Sequence, residues 1–305
     1  MIKNFINLSD FTTGQLRSLI ERAIADKALF QAGKLPATLR GKTLAMIFEK
    51  PSLRTRVSFE TAMTHLGGHG IYLTPADIGI GTREPIQDIA RVLGRMCDGI
   101  MARTFRHEMV EDLGRYAGVP VINALTDHSH PCQAMADLMT VREHFGELEG
   151  RTLAFIGDGN NVARSLAVAC GKLGMKFILA APAGYELGEA FLSQLPAGSV
   201  ELCRDPRQAV ADADVVYTDT WVSMGQEEQK AKRLGDFKGF QVNGALLAAA
   251  PRHAIVLHCL PAYRGCEITD EAFEAHAETI LSEAANRLHF QRSLLNVLIG
   301  EGGVR

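Results

Sequence analysis

The 305-residue chain is 47% apolar and 22% charged, with 32 Lys and Arg against 35 Asp and Glu for a formal net charge of −3. A chain of this length and composition builds about two domains with sizeable cores, and its charge carries no signature of a nucleic-acid or anionic-membrane partner. No apolar run reaches the ~18 residues that a bilayer needs, and the opening MIKNFINLSDF lacks both the apolar core of a secretory leader and the arginines of a transit peptide. The six cysteines contain no CxxC pair, so reduced thiols in a cytoplasm are expected rather than a disulfide framework.

Short apolar runs at 44–48, 100–103, 121–123, 153–157, 177–180, 215–218 and 255–257 alternate with segments of helical period. In one of these, Ile86, Ile89, Ala90 and Leu93 share a face. Gly67-Gly68 stops a helix, and Asp205-Pro206 is an N-cap followed by a first-turn proline. Strands alternating with helices predict α/β architecture with parallel sheets covered on both faces. The polar stretch 143–151 precedes a fresh strand, so the domain boundary is expected in or beside the helix that starts at Pro131. In such sheets ligands sit beyond the carboxyl ends of the strands, which directs attention to the strand-to-helix turns.

The first such turn, Glu49-Lys50-Pro51-Ser52-Leu53-Arg54-Thr55-Arg56, leads into an apolar-periodic segment through Phe59, Ala62 and Met63. Ser52 is a natural N-cap. The free first-turn N–H groups, the positive helix end, the hydroxyls and the guanidinium groups together form a cradle suited to phosphate. Read alone, the same residues describe a capped surface helix with solvated arginines, and the pattern is not a Walker loop. Arg103 ends the next clear strand, where a ligand-facing arginine is commoner than a structural one. His130-Pro131-Cys132-Gln133 then opens a helix, with a His and a Gln able to hydrogen-bond a carbonyl oxygen and an amide. His128, His130 and Cys132 invite a zinc reading, but no second ligand pair at finger-like spacing accompanies them, and no metal is expected.

Gly157-Asp158-Gly159-Asn160-Asn161 resembles the start of a dinucleotide fingerprint, yet its third glycine is replaced by Val162 and the next strand runs into Ala181-Pro182 with no acid. No nicotinamide or other cofactor is expected. Asp219 ends the strand at 215–218, and Ser223 and Met224 follow in a loop closed by Gly225; a carboxylate and a hydroxyl there suit an ammonium group. Taken alone, Asp219 caps a turn, Met224 packs and Cys259 is a small core residue. The polar run 226–230 is a candidate lid.

Together, SxRTR (52–56), HPxQ (130–133), DxxxSMG (219–225) and HCLP (258–261) resemble the aspartate/ornithine transcarbamoylase family, in the right order and over essentially the whole chain. The resemblance implies two three-layer αβα domains joined by two interdomain helices. One domain, 1–134 completed by a C-terminal helix at 284–305, would bind carbamoyl phosphate, and the other, 135–283, would bind ornithine. It implies that Ser52, Leu53, Arg54, Thr55 and Arg103 hold the phosphate, that His130 and Gln133 hold the carbamoyl oxygen and nitrogen, and that Cys259, Leu260 and Arg287 complete this set. Leu53 stands where many relatives have Thr, with its backbone N–H still able to contribute. Asn161, Asp219, Ser223 and Met224 would hold ornithine, with Cys259 beside its side chain; Cys259, Arg103 and His130 would be catalytic. Asp77, in a loop that approaches the neighbouring subunit in relatives, is not carried over.

The activity so implied is carbamoyl phosphate plus L-ornithine to L-citrulline plus phosphate, in arginine metabolism, by a homotrimer without cofactor. A side-chain amine titrates near 10.4, so holding it neutral at pH 7 costs about 4–5 kcal/mol, a task that falls to Cys259 and Asp219. The competing readings are a transcarbamoylase for aspartate, putrescine or an acylated ornithine, a dinucleotide-dependent dehydrogenase, and a non-catalytic subunit that retains the fold.

Overall fold

The computed structural model describes residues 2–79, 84–223 and 225–301. The chain divides into two compact units, the first comprising residues 1–139 and 286–305 and the second residues 140–285. The divisions therefore fall slightly beyond the expected 134/135 and 283/284.

The first unit contains α1 (Thr13–Gln31), β1 (Thr43–Phe48), α2 (Leu53–His65), β2 (His69–Leu73), α3 (Pro75–Ile78), α4 (Ile86–Met96), β3 (Gly99–Arg103), α5 (His107–Tyr116) and β4 (Val121–Leu125). Its strands form a parallel sheet in the order β2-β1-β3-β4. Chain order reverses between β1 and β3, where Phe48 lies in register with Arg103. Alternate residues Ala45 and Ile47 of β1 and Ile100 and Ala102 of β3 turn one sheet face onto Ala90 of α4 and Val110 and Leu113 of α5. Those two helices approach so closely that a Cβ on Gly94 would stand 1.7 Å from the Ala117 carbonyl oxygen, which requires glycine there.

The helix α6 (Pro131–Phe145) starts in the first unit and ends in the second. There follow β5 (Thr152–Ile156), α7 (Asn161–Leu173), β6 (Lys176–Ala180), α8 (Glu189–Leu192), β7 (Val200–Cys203), α9 (Pro206–Val210), β8 (Val215–Thr218), α10 (Lys230–Asp236), α11 (Gly244–Leu247), β9 (Ile255–His258) and α12 (Asp270–Ala275). The second parallel sheet has the order β7-β6-β5-β8-β9, with its reversal between β5 and β8. Finally α13 (Ala277–Leu295) returns the chain to the first unit, so α6 and α13 are the two helices shared between the units.

Every strand expected from the sequence is present. Two that were not expected, β2 and β7, are edge strands with alternating partial exposure and hence no continuous apolar run. The polar run 226–230, the candidate lid, includes a short 3-10 turn at Glu227–Gln229 that leads into α10. No described helix is long and apolar enough to cross a membrane.

One buried charge in the first unit has a consequence for stability. Arg292 of α13 is fully buried, with its guanidinium 4.5 Å over the Phe30 ring and donating to the Asp26 carbonyl oxygen at 3.1 Å. Its nitrogens also face His65 Nδ1 at 3.4 Å and His289 Nδ1 at 3.2 Å. Both rings can only accept from an arginine, so both must be neutral. Burial, and then Arg292, Lys27 and His65, hold His289 down at about 4; burial and Arg292 lower His65 in the same direction. An unfolded imidazole titrates near 6.5, so between that pH and about 4 the unfolded chain binds a proton that folded His289 refuses. Stability is present above that window and is lost as pH falls through it, by roughly 1–2 kcal/mol after discounting for solvent. We expect thermal unfolding to show this acid-side loss, and His289→Asn, which keeps an acceptor but does not titrate, to flatten it. An identical pH dependence in the variant would contradict the assignment.

Candidate active site

In the first unit, the turns after β1, β3 and β4 lie side by side because the strands are parallel and adjacent. The Glu49 N–H donates to the Arg103 carbonyl at 2.9 Å, the Glu49 carboxylate accepts from the Phe105 N–H at 2.9 Å, and Thr104 N–H donates to Leu125 at 2.9 Å. Buried Lys50 pairs with Asp127 and lies 4.3 Å from the Phe105 ring centroid.

Ser52 caps α2 as expected, accepting from the Thr55 N–H at 3.3 Å, and the helical ladder begins only with Arg56 N–H to the Ser52 carbonyl at 3.1 Å. The N–H groups of Leu53 and Arg54 thus belong to the open first turn, while the Leu53 side chain is exposed. Arg54 Nε is buried with no hydrogen-bond partner among the described residues, which leaves a donor available at this turn. Arg56 is turned elsewhere, onto Glu60 at 3.0 Å and the Tyr72 ring at 4.0 Å. Arg287, from the far end of the sequence, reaches this turn and donates to Thr55 Oγ1 at 2.7 Å.

Arg103 and His130 are both buried here. Burial and then the positive charges of Arg287 and Arg103 push the His130 imidazole well below its usual range, so the ring is neutral at physiological pH. Gln133, on the first turn of α6, donates from Nε2 to the buried Asp137 carboxylate at 2.8 Å. Among the described residues, His128, His130 and Cys132 do not come together as a set of metal ligands. Cys132 donates its thiol hydrogen to the Asn123 carbonyl at 3.4 Å, and burial raises its pKa to about 12, although Arg287 opposes the rise.

In the second unit, the turns after β5, β8 and β9 form the corresponding edge. Asp219 Oδ1 accepts from the Cys259 thiol at 2.9 Å and from the Thr220 N–H at 2.7 Å, and its Oδ2 accepts from Asn160 Nδ2 at 2.7 Å. Asn160, not singled out by the sequence, is also the N-cap of α7, accepting from Val162 and Ala163 N–H. Asn161 opens that helix, and its carbonyl accepts from Ser165 at 2.8 Å. Ser223 lies in a turn closed by Gln226, whose Oε1 accepts its N–H at 3.1 Å. Met224 lies outside the described residues.

The GxG turn has a structural explanation. A Cβ on Gly159 would meet the backbone of Glu186 and Leu187 at 2.9 Å, and the Gly159 N–H donates to Tyr185 at 2.8 Å. The space that a pyrophosphate would need beside that glycine is filled by the chain itself.

Asp219, His258 and Cys259 place potential metal ligands within 4.8 Å of one another. His258 Nδ1, however, accepts the Leu260 N–H at 2.9 Å, which leaves Nε2 to donate to buried Glu267 at 3.1 Å. Both ring nitrogens are engaged, and a cation would have to displace one bond and the thiol contact as well. Leu260 itself has φ 56°, a left-handed conformation that this N–H bond helps to hold.

Two more residues that local pattern did not reveal fix this edge. Arg233, buried, pairs with Asp158 and donates to the Trp221 carbonyl, with its guanidinium 4.8 Å from the Tyr185 ring centroid and 5.5 Å from that of Phe237. Burial raises the Asp158 carboxyl pKa, against the pull of Arg233. Removing one partner of such a pair costs about 3–5 kcal/mol. Arg233→Met should lower stability by that order and shift the emission of Trp221, the single tryptophan, to the red. Denaturant unfolding followed by fluorescence checks this, and near-wild-type stability with unchanged emission would contradict it.

Two open parallel α/β units each carry polar groups at the carboxyl edge of their sheet, where such sheets bind ligands, and the likeness that follows makes the chain a carbamoyltransferase. The chain belongs to the aspartate/ornithine carbamoyltransferase family: the model of the carbamoyl-phosphate-binding domain matches residues 3–143, and that of the aspartate/ornithine-binding domain matches residues 149–298. It is 47% identical over 304 residues to an ornithine carbamoyltransferase of Methanoculleus marisnigri, covering 99% of this chain and 98% of the relative. Among solved structures it is similar to ornithine carbamoyltransferase from Pyrococcus furiosus, with TM-score 0.94, 46% identity and coverage of 99% and 98%. The enzyme of that name from Thermus thermophilus gives TM-score 0.89 at 43% identity, with coverage of 98% and 99%.

Proposed function

We propose that this enzyme transfers the carbamoyl group of carbamoyl phosphate to the δ-amine of L-ornithine, releasing L-citrulline and phosphate. The observation that carries the reading is the convergence of Arg54, Arg103, Arg287 and a neutral His130 on the open first turn of α2. Backbone N–H groups of Leu53 and Arg54, the hydroxyls of Ser52 and Thr55, and the guanidinium groups bind the phosphate. A neutral His130 donates one ring N–H to the carbamoyl oxygen, and Gln133 takes the carbamoyl nitrogen.

On the amino-acid side, Asp219 and Ser223 suit the α-ammonium, and Asn161 and Met224 suit the α-carboxylate. Cys259 donates its thiol hydrogen to Asp219, which ties it to the carboxylate that would receive the amino-acid substrate. In the reaction the amine nitrogen bonds the carbonyl carbon, a tetrahedral oxyanion forms, and the C–O bond breaks with its electron pair on the phosphate. The neutral amine gives up one proton as it is carbamoylated, and the departing phosphate takes that proton. Arg54, Arg103 and His130 stabilise negative charge on the oxyanion and the departing phosphate. Leu260 contributes through the backbone of its turn.

An aspartate-using enzyme is disfavoured because the described edge of the second unit is rich in Asp158, Asp219 and amides, and its Arg233 is already committed to Asp158. The reading extends to arginine metabolism, a homotrimer and a cytoplasmic setting, for which the likeness to the family is the support.

The direct test is citrulline formation from carbamoyl phosphate and ornithine, with aspartate and N-acetylornithine as controls; product with ornithine alone is expected, and product with either control instead would overturn the substrate. Arg54→Ala should keep the fold and lower turnover at least about a hundredfold, the effect of losing one such donor; near-wild-type rates would remove the phosphate assignment. Cys259→Ser should alter ornithine affinity and the pH profile more than carbamoyl phosphate binding. Unchanged ornithine kinetics across pH would reduce the thiol to packing.

A further inference from the structure

We infer that Asn160 is a positioning residue, holding the Asp219 carboxylate in the orientation that receives the ammonium group of the amino-acid substrate. The inference rests on the reading of Asp219 given above and deepens it. Strand order reverses between β5 and β8, and the ligand crevice of such a sheet lies beyond the strands at the reversal. Asn160 follows β5 and Asp219 follows β8, after strands whose ends Ile156 and Thr218 lie in register. One side chain bridges the two sides of that crevice, with Asn160 Nδ2 donating to Asp219 Oδ2 at 2.7 Å.

The Asn160 amide has only one workable orientation. Its Oδ1 accepts from the Val162 N–H at 3.0 Å and the Ala163 N–H at 3.1 Å, which caps α7. Backbone N–H groups only donate and a carboxylate only accepts, so turning the amide end for end would lose all three bonds. The first turn of α7 thus fixes where Nδ2 points, and Nδ2 fixes Asp219. That carboxylate is buried, and its Oδ1 accepts from the Thr220 N–H at 2.7 Å and the Cys259 thiol at 2.9 Å. Of the roughly four acceptor positions on a carboxylate, these three donors among the described residues leave one, on the oxygen that Asn160 holds. Without the Asn160 donor the buried Oδ2 loses its partner and the carboxylate can turn, so binding an ammonium would first have to order it.

Capping and holding fall to opposite ends of the amide, so substitution separates them. Serine caps a helix about as well as asparagine, but its hydroxyl ends where asparagine has its amide carbon, one bond short of Nδ2. Aspartate also caps, and the positive helix end favours it, but it sets a second carboxylate against Asp219 at hydrogen-bonding distance.

The test measures KM for ornithine and for carbamoyl phosphate, together with thermal melting. The proteins are wild type, Asn160→Ser, Asn160→Asp, Asp219→Ala, and Asn160→Ser combined with Asp219→Ala. Asn160→Ser should raise KM for ornithine about tenfold or more, the worth of a hydrogen bond to a charged group, and leave KM for carbamoyl phosphate within about twofold. Asn160→Asp should raise KM for ornithine further while melting no earlier than Asn160→Ser. In the Asp219→Ala background, Asn160→Ser should add nothing. Where turnover is too slow for a KM, calorimetric affinity for norvaline, the analogue without the side-chain amine, supplies the same comparison in the presence of carbamoyl phosphate. A residue that only capped the helix would move both constants in step with melting, and that result overturns the inference. An ornithine constant raised in Asp219→Ala but unchanged in both Asn160 variants also overturns it, while leaving the reading of Asp219 intact. A constant unchanged in Asp219→Ala strikes that reading and the inference with it, and a wild type that forms no citrulline strikes the proposed activity itself. Should Asn160→Ser fail to fold, Asn160→Thr caps through the same kind of hydroxyl and is read by the same pair of constants.

Discussion

A hydrogen bond of 2.7 Å from Arg287 Nη2 to Thr55 Oγ1 joins residues 232 positions apart, and the proposed phosphate cradle depends on it. The turn that begins at Ser52 can be capped locally, but it acquires its third guanidinium only when α13 has brought the end of the chain back to the first unit. The proposed anion site is therefore a product of tertiary folding rather than of a contiguous loop. That is also why Arg287, read in sequence, resembles an ordinary helix-surface residue while the structure buries it.

The two edges carry opposite electrostatic character. The first gathers Arg54, Arg103 and Arg287 about an imidazole that burial and these charges keep neutral, so added protons are refused and positive charge is reserved for the ligand. The second gathers Asp158, Asp219 and the Cys259 thiol, with Arg233 neutralising Asp158 and Asn160 bracing Asp219. The proposed roles follow this contrast, with a phosphorylated compound at the first edge and an amine at the second, the same order in which the two family domains match the chain.

Much of the fold was legible because parallel strands buried on both faces write themselves as short continuous apolar runs, as at β1, β3, β5 and β8. The edge strands β2 and β7 escaped because partial exposure breaks that run. The Ser52 cap and the turn positions of Arg103, His130 and Asp219 were legible from local order along the chain, and the structure gathers them on the two edges. What no local pattern discloses is pairing at long range: Gln133 is oriented by a helical neighbour, but Asn160 with Asp219, Lys50 with Asp127 and Arg233 with Asp158 join separate turns. Asn160 and Asn161 show the limit clearly, since adjacent identical residues take different tasks and only the cap geometry tells them apart.

Titration calorimetry of carbamoyl phosphate into the wild-type protein bears most directly on the cradle at Ser52. Saturable heat from one site per chain is expected, suppressed by inorganic phosphate competing for the same donors. A folded protein that gives no heat with carbamoyl phosphate, or heat that phosphate leaves unaltered, would contradict it.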